Sequence, residues 1–166
     1  MTMRYASAFL TMTLLLASAA AASAQAKPDF GGTWTVDAEK TAAANPGMPA
    51  GGPGGRGMGM AAMGPMTLTL DGATLTRESE GRDGPMKTVY TLDGAERTVS
   101  MGMGEARVKA AWAGETLSIV TTRQGRNGVM TTEAIYAREG DWLVVTSTLP
   151  GREGGPVTRK VYYKKG

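Results

Sequence analysis

The chain has 166 residues, enough for one domain once a leader is set aside, and contains neither Cys nor His. Those two absences exclude disulfides, a thiolate nucleophile, a Ser-His-Asp triad and the usual zinc or haem-attachment ligands. The net charge of +3 is small and spread along the chain, so it reads as a solvated surface and not as a nucleic-acid patch.

In chain order, Arg4, the apolar run around Phe9-Leu10 and Leu14-Leu15-Leu16, and a small-residue stretch ending in Ala22-Ser23-Ala24 make the three parts of a secretory signal peptide. Residues 1–24 are read as that signal, with cleavage after Ala24 or, alternatively, Ala26, and residues 25–166 as the mature domain. The apolar core is shorter than the roughly 20 residues that span a bilayer, and no Cys near the site could carry a lipid. No later segment could cross a membrane as a helix. A Cys-free domain sent to an oxidising compartment is expected in a bacterial periplasm, or secreted, since small extracellular animal domains are usually stapled.

The mature part opens with a short strand, Asp29 to Val36, that carries the first aromatics. Residues 43–65 are almost entirely Ala, Gly, Pro and Met, which predicts a low-complexity flexible loop with little to bury. From Met66 onward the pattern is regular. Met66–Leu70 alternates, breaks at Asp71-Gly72, and resumes through Arg77; Asp93-Gly94, Ala113-Gly114 and Gly140-Asp141 separate further runs in the same way. Asp-Gly between alternating runs predicts a hairpin with a type I′ turn. A last strand runs from Val157 to Lys164 after the Pro150-to-Pro156 turn.

About ten strands result, turn signals arrive every 8–12 residues, and no segment has a helical period. The fold class is therefore all-β: an antiparallel up-and-down meander closing into an eight- to ten-stranded barrel. A long meander must close or split to hide its edges, and a two-sheet sandwich is the alternative. A membrane barrel is disfavoured, because Arg97, Arg107, Lys109 and Arg159 interrupt strands that are too short for one.

The N-terminal Gly32-Thr33-Trp34 and the C-terminal Lys160-Val161-Tyr162 together resemble the ends of the calycins, the lipocalins and fatty-acid-binding proteins. The resemblance implies a barrel that holds a small apolar or amphipathic molecule. In lipocalins the early Trp packs at the barrel base against a basic residue of the last strand; in the fatty-acid-binding branch an Arg-x-Tyr pair on that strand grips a carboxylate. Lys160 and Tyr162 stand where that pair would be, with Arg159 one residue off and so facing the other way. That branch also has a helical lid between its first two strands, where this chain has residues 43–65.

Candidate ligand-binding residues are thus Trp34, Tyr90, Trp112, Tyr136, Lys160 and Tyr162. The aromatics among them are by default core, and the sequence does not separate core from cavity lining. Carboxylates lie at turns or on alternating strand positions that give no reason to converge, so catalytic residues are none and no enzyme is expected. Gly52-Pro53-Gly54-Gly55-Arg56-Gly57 matches a nucleotide-binding pattern but lacks the flanking strand and helix, and is read as coincidence. The methionines Met48, Met58, Met60, Met63, Met66, Met101 and Met103 could meet Cu(I) but are more simply loop and core residues; no metal and no cofactor is assigned. The expected partner is a small apolar or amphipathic ligand, with no nucleic acid and a monomeric state. The other readings left open are a filled barrel serving structure or protein interaction, and copper handling by the Met-rich segment.

Overall fold

The computed structural model describes residues 27–47, 64–81, 84–101, 104–125, 128–151 and 155–166. Residues 1–24, read above as a signal peptide, and most of the Gly/Met/Pro segment lie outside the described residues.

Ten strands form one antiparallel sheet: β1 (Gly32–Val36), β2 (Met66–Asp71), β3 (Thr74–Gly81), β4 (Gly84–Thr91), β5 (Asp93–Met101), β6 (Gly104–Ala113), β7 (Thr116–Gly125), β8 (Gly128–Glu139), β9 (Trp142–Pro150) and β10 (Pro156–Lys165). Their order is β4-β3-β2-β1-β10-β9-β8-β7-β6-β5, so β1 bridges the two ends of the chain and the sheet curls into a nearly closed barrel. The strand count and meander agree with the alternation in the sequence.

The turns at one end follow a single device. In Gly72-Ala73, Gly114-Glu115 and Gly140-Asp141 only the first residue has positive φ (+52°, +64° and +60°). That is the type II′ arrangement and not the expected I′, because no Asp or Ala in these turns enters the left-handed region.

The Asp93-Gly94 corner departs further from expectation. The alternating runs on either side predict a hairpin, yet no ladder joins β4 to β5, and Asp93 pairs with Ala111 of β6. The Asp93 carboxylate accepts from the backbone of Ala95 and from Arg97, and a bulge lies between Asp93 and Glu96. A bulge bends its strand and sharpens its twist, which turns β5 toward β6 and away from β4.

A short helix, α1 (Ala38–Ala44), follows β1, where the sequence shows no helical period; its last two residues fall within the segment read as loop. Seven residues are too few to show a period, and the signal is the cap: Asp37 accepts from the Lys40 backbone N–H at 2.8 Å. The helix lies along β10 where β1 has run out. Thr41, fully buried, bonds through its hydroxyl to the backbone N–H and carbonyl of Tyr162. Asn45 does the same to Lys160. Two side chains thereby replace a missing strand and cover an edge that would otherwise be open to pairing.

Strand parity divides the sheet into two faces. Trp34, Met66, Leu68, Leu75, Val108, Leu117, Ile119, Leu143, Val145 and Val161 point inward and form one buried core. Each such residue contributes about 1.5–3 kcal/mol relative to exposure. Phe30, from the segment before β1, plugs the base: it is fully buried and stacks on Trp112 at 5.4 Å with Tyr136 tilted against it at 6.5 Å.

Candidate functional site

The same parity sorts charge. On strands β2 to β9 outside the β5 bulge, the carboxylates Asp71, Glu78, Glu80, Glu96, Glu105, Glu133 and Glu139 all occupy outer positions, adjacent in sequence to inward residues. Arg77, Arg97, Arg123, Arg138, Arg159 and Lys165 occupy inner positions. Among the described strand residues, the inner face therefore carries cations and no acid beyond that bulge.

Two of these cations serve the base. The guanidinium of Arg138 lies 4.8 Å over the Trp34 ring, and the Lys165 ammonium lies 5.8 Å from it. Trp34 also donates its Nε1–H to the Phe30 carbonyl at 2.8 Å. The expected contact between the early Trp and a basic residue of the last strand is present through Lys165, and Arg138 of β8 sits closer.

Arg77 stands at the heart of the barrel. Its β3 position pairs with Leu68 of β2 and Thr88 of β4, both buried. Around it are the hydroxyls of Tyr136, Tyr90 and Tyr163, which together hold its pKa above the ordinary arginine value against the opposing effect of burial; Tyr136 contributes most. Tyr90 is raised chiefly by burial, with Tyr136 adding to it, while Arg77 and Thr88 beside its hydroxyl pull the other way. Burial pushes Tyr163 up to about 12, opposed by Arg77. The Nε of Arg77 is buried and has no hydrogen-bond partner, a state that costs free energy unless a ligand completes it.

Arg159 shares this inner face. It lies in register with Ser147, one inward position above Val161 and two above Tyr163, and it bears on the Tyr163 hydroxyl.

Beside this cluster the wall is interrupted. Between β4 and β5 lies a cleft of about 330 Å³, lined among others by Lys87, Thr88, Tyr90, Arg97, Val99, Val108 and Ala110.

Of the residues singled out in the sequence, Tyr90 and Tyr136 lie in the interior beside Arg77, and Trp34 and Trp112 lie in the base. Lys160 and Tyr162 lie on the outer face. There Lys160 donates to Glu139 at 2.7 Å and Tyr162 donates to its other oxygen at 3.1 Å, which holds the Glu139 carboxyl below its usual range. The Tyr162 ring also meets Trp142 edge to face at 6.3 Å, and Lys40 of α1 lies 4.8–4.9 Å over both rings. The last-strand residues that face inward are Arg159, Val161 and Tyr163. Arg77, Arg159 and Tyr163 are interior residues that motif and residue type did not single out. Parity could have found them, since Arg77 is two residues from Leu75 across a recognised turn from Leu68 and Leu70.

Met66 is a core residue of β2, and Met48, Met58, Met60, Met63 and Met103 lie outside the described residues.

The nearly closed ten-stranded meander with a short helix after its first strand is a calycin-like fold. No protein-family model and no curated protein matches the chain. Solved structures do. A bile acid-binding protein of zebrafish ileum, complexed with cholic acid, superposes with a TM-score of 0.55 at 16% identity, covering 82% of this chain and 98% of that one. A secretory abundant heat soluble protein from Ramazzottius varieornatus gives 0.55 at 19% identity over 82% and 95%. A protein described as the REP1-NXSQ fatty acid transporter gives 0.54 at 13% identity over 82% and 95%. At these identities the likeness is one of fold.

Proposed function

We propose that this protein is a non-catalytic binding barrel that holds one small amphipathic molecule, apolar in its body and acidic at its head. The observation that carries the reading is Arg77: an arginine with a buried, unpartnered Nε, set among the phenols of Tyr90, Tyr136 and Tyr163. Apolar side chains around it suit a hydrocarbon body, and a carboxylate would complete the arginine with charge-assisted bonds. The fold neighbours described as a fatty acid transporter and as binding bile acid support the same class of ligand. The leader-like N-terminus adds the proposal that the barrel works as an exported, periplasmic monomer.

The test compares 11-(dansylamino)undecanoic acid with its methyl ester. The acid is expected to bind more tightly, and Arg77→Met to weaken the acid by about tenfold or more while leaving the ester nearly unchanged, the effect of removing a charged hydrogen-bond partner. Equal binding of acid and ester overturns the acidic head; binding of neither overturns the ligand-binding reading and leaves a filled barrel.

A further inference from the structure

We infer that the ligand enters sideways, through the break between β4 and β5, and not over the mouth of the barrel; the inference rests on the ligand-binding reading above. Each other pair of neighbouring strands is sewn together by a backbone ladder, and β4 and β5 are not. Parting the barrel here breaks no ladder hydrogen bond, whereas parting it elsewhere breaks several.

The cleft at this break leads to Arg77. Thr88, on its wall, is the register partner of Arg77, and Tyr90, two residues on along the same face, lies close enough to bear on it. Val99, Val108 and Ala110 supply an apolar floor, and Val108 and Ala110 belong to the buried core. The groups lining the cleft include two cations and several hydroxyls but no carboxylate. Arg97 is exposed there and pairs with Asp93, also exposed; such a pair is held weakly and can exchange its carboxylate for another. An acid arriving from solvent thus meets Arg97 first, then the Thr88 and Tyr90 hydroxyls, then Arg77, while its hydrocarbon follows the apolar floor.

Stopped-flow mixing with 11-(dansylamino)undecanoic acid tests this on the full mature domain. Val99→Trp is expected to slow entry and exit in parallel, leaving Kd nearly unchanged. Arg97→Glu is expected to lower the on-rate about tenfold at low salt, with the difference fading at high salt, as steering by a single charge reversal requires. Val157→Trp, at the barrel mouth, is expected to leave both rates alone. Slowing by Val157→Trp without slowing by Val99→Trp overturns the inference, as does an off-rate change alone in Val99→Trp, which would make the cleft part of the seat. If Val99→Trp does not fold, the exposed Arg97→Glu decides, and an unchanged on-rate overturns the inference. Wild-type protein that binds with rates indifferent to both cleft variants sinks the side entrance only; wild-type protein that binds no probe sinks the ligand-binding reading with it.

Discussion

The side-chain amide of Asn45 forms a two-way hydrogen-bonded pair with the backbone of Lys160: Nδ2 donates to the carbonyl at 2.7 Å and Oδ1 accepts from the N–H at 3.0 Å. One residue of a helix end thereby does what a strand would do along the edge of β10. Thr41, one turn earlier, repeats the pattern on Tyr162. The helix is held by side chains that imitate a ladder.

Asn45→Ala is expected to destabilise the domain by about 1–3 kcal/mol, because both backbone groups of Lys160 lose a partner in a half-buried place. Urea unfolding checks the size. Hydrogen exchange checks the place: the Lys160 amide should lose protection while amides of the β6–β7 ladder keep theirs, and uniform loss would show that the helix is not an edge cover.

Gly32→Ala is expected to be among the costlier substitutions outside the core. Gly32 has φ +123°, and a Cβ there would stand 2.8 Å from Cε of Lys165, the residue that lies over Trp34. Backbone strain alone costs about 1–3 kcal/mol. The flexible Lys165 side chain can move aside, so Gly32→Ala, Lys165→Ala should recover little of the loss if φ is the cause and most of it if the clash is. Thermal or urea unfolding of Gly32→Ala, Lys165→Ala and the double variant separates the two. Backbone conformation is thus a physical reason for glycine two residues before the base tryptophan.

Stability is expected to fall between about pH 10 and pH 12. Tyr163 has its folded pKa raised by burial to about 12, above an unfolded value near 10. Below pH 10 both states hold the proton and the stabilisation is intact; between the two values the unfolded state loses its proton while the folded state keeps it, so unfolding becomes progressively easier. The loss should approach about 2–3 kcal/mol, since each pH unit separating the folded and unfolded values is worth about 1.4 kcal/mol. Tyr90, also raised by burial, adds in the same direction. Urea titrations at pH 8, 10 and 11, followed beside tyrosinate absorbance, check it. Tyr163→Phe should flatten the decline, and an equally steep decline in that variant would place the cause elsewhere.

The strands were legible in the sequence because a half-buried strand writes its two faces as alternation, and each break at Gly72, Gly114 and Gly140 stands between two such runs. Alternation also carries the inward direction of Arg77 and Arg159, when followed from Leu75 and Val161. Residue type points elsewhere: Lys160 and Tyr162 look like a ligand-gripping pair, but they fall on the even face of a strand whose odd face is the core. A one-residue offset in a structure of period two exchanges inside for outside.

The sequence by itself determined that the chain carries a β-meander and lacks thiol and imidazole chemistry, since local alternation, turn glycines and missing residue types require no knowledge of distant contacts. Only the tertiary structure decided the rest. That β1 would join β10 and leave β4 and β5 unpaired depends on how twist and the bulge after Asp93 accumulate around the whole sheet. That three tyrosines from β4, β8 and β10 would converge on Arg77 of β3 depends on the same curling. Neither follows from any local stretch, because curvature is a sum over all ten strands and the interior exists only once the sheet has nearly closed.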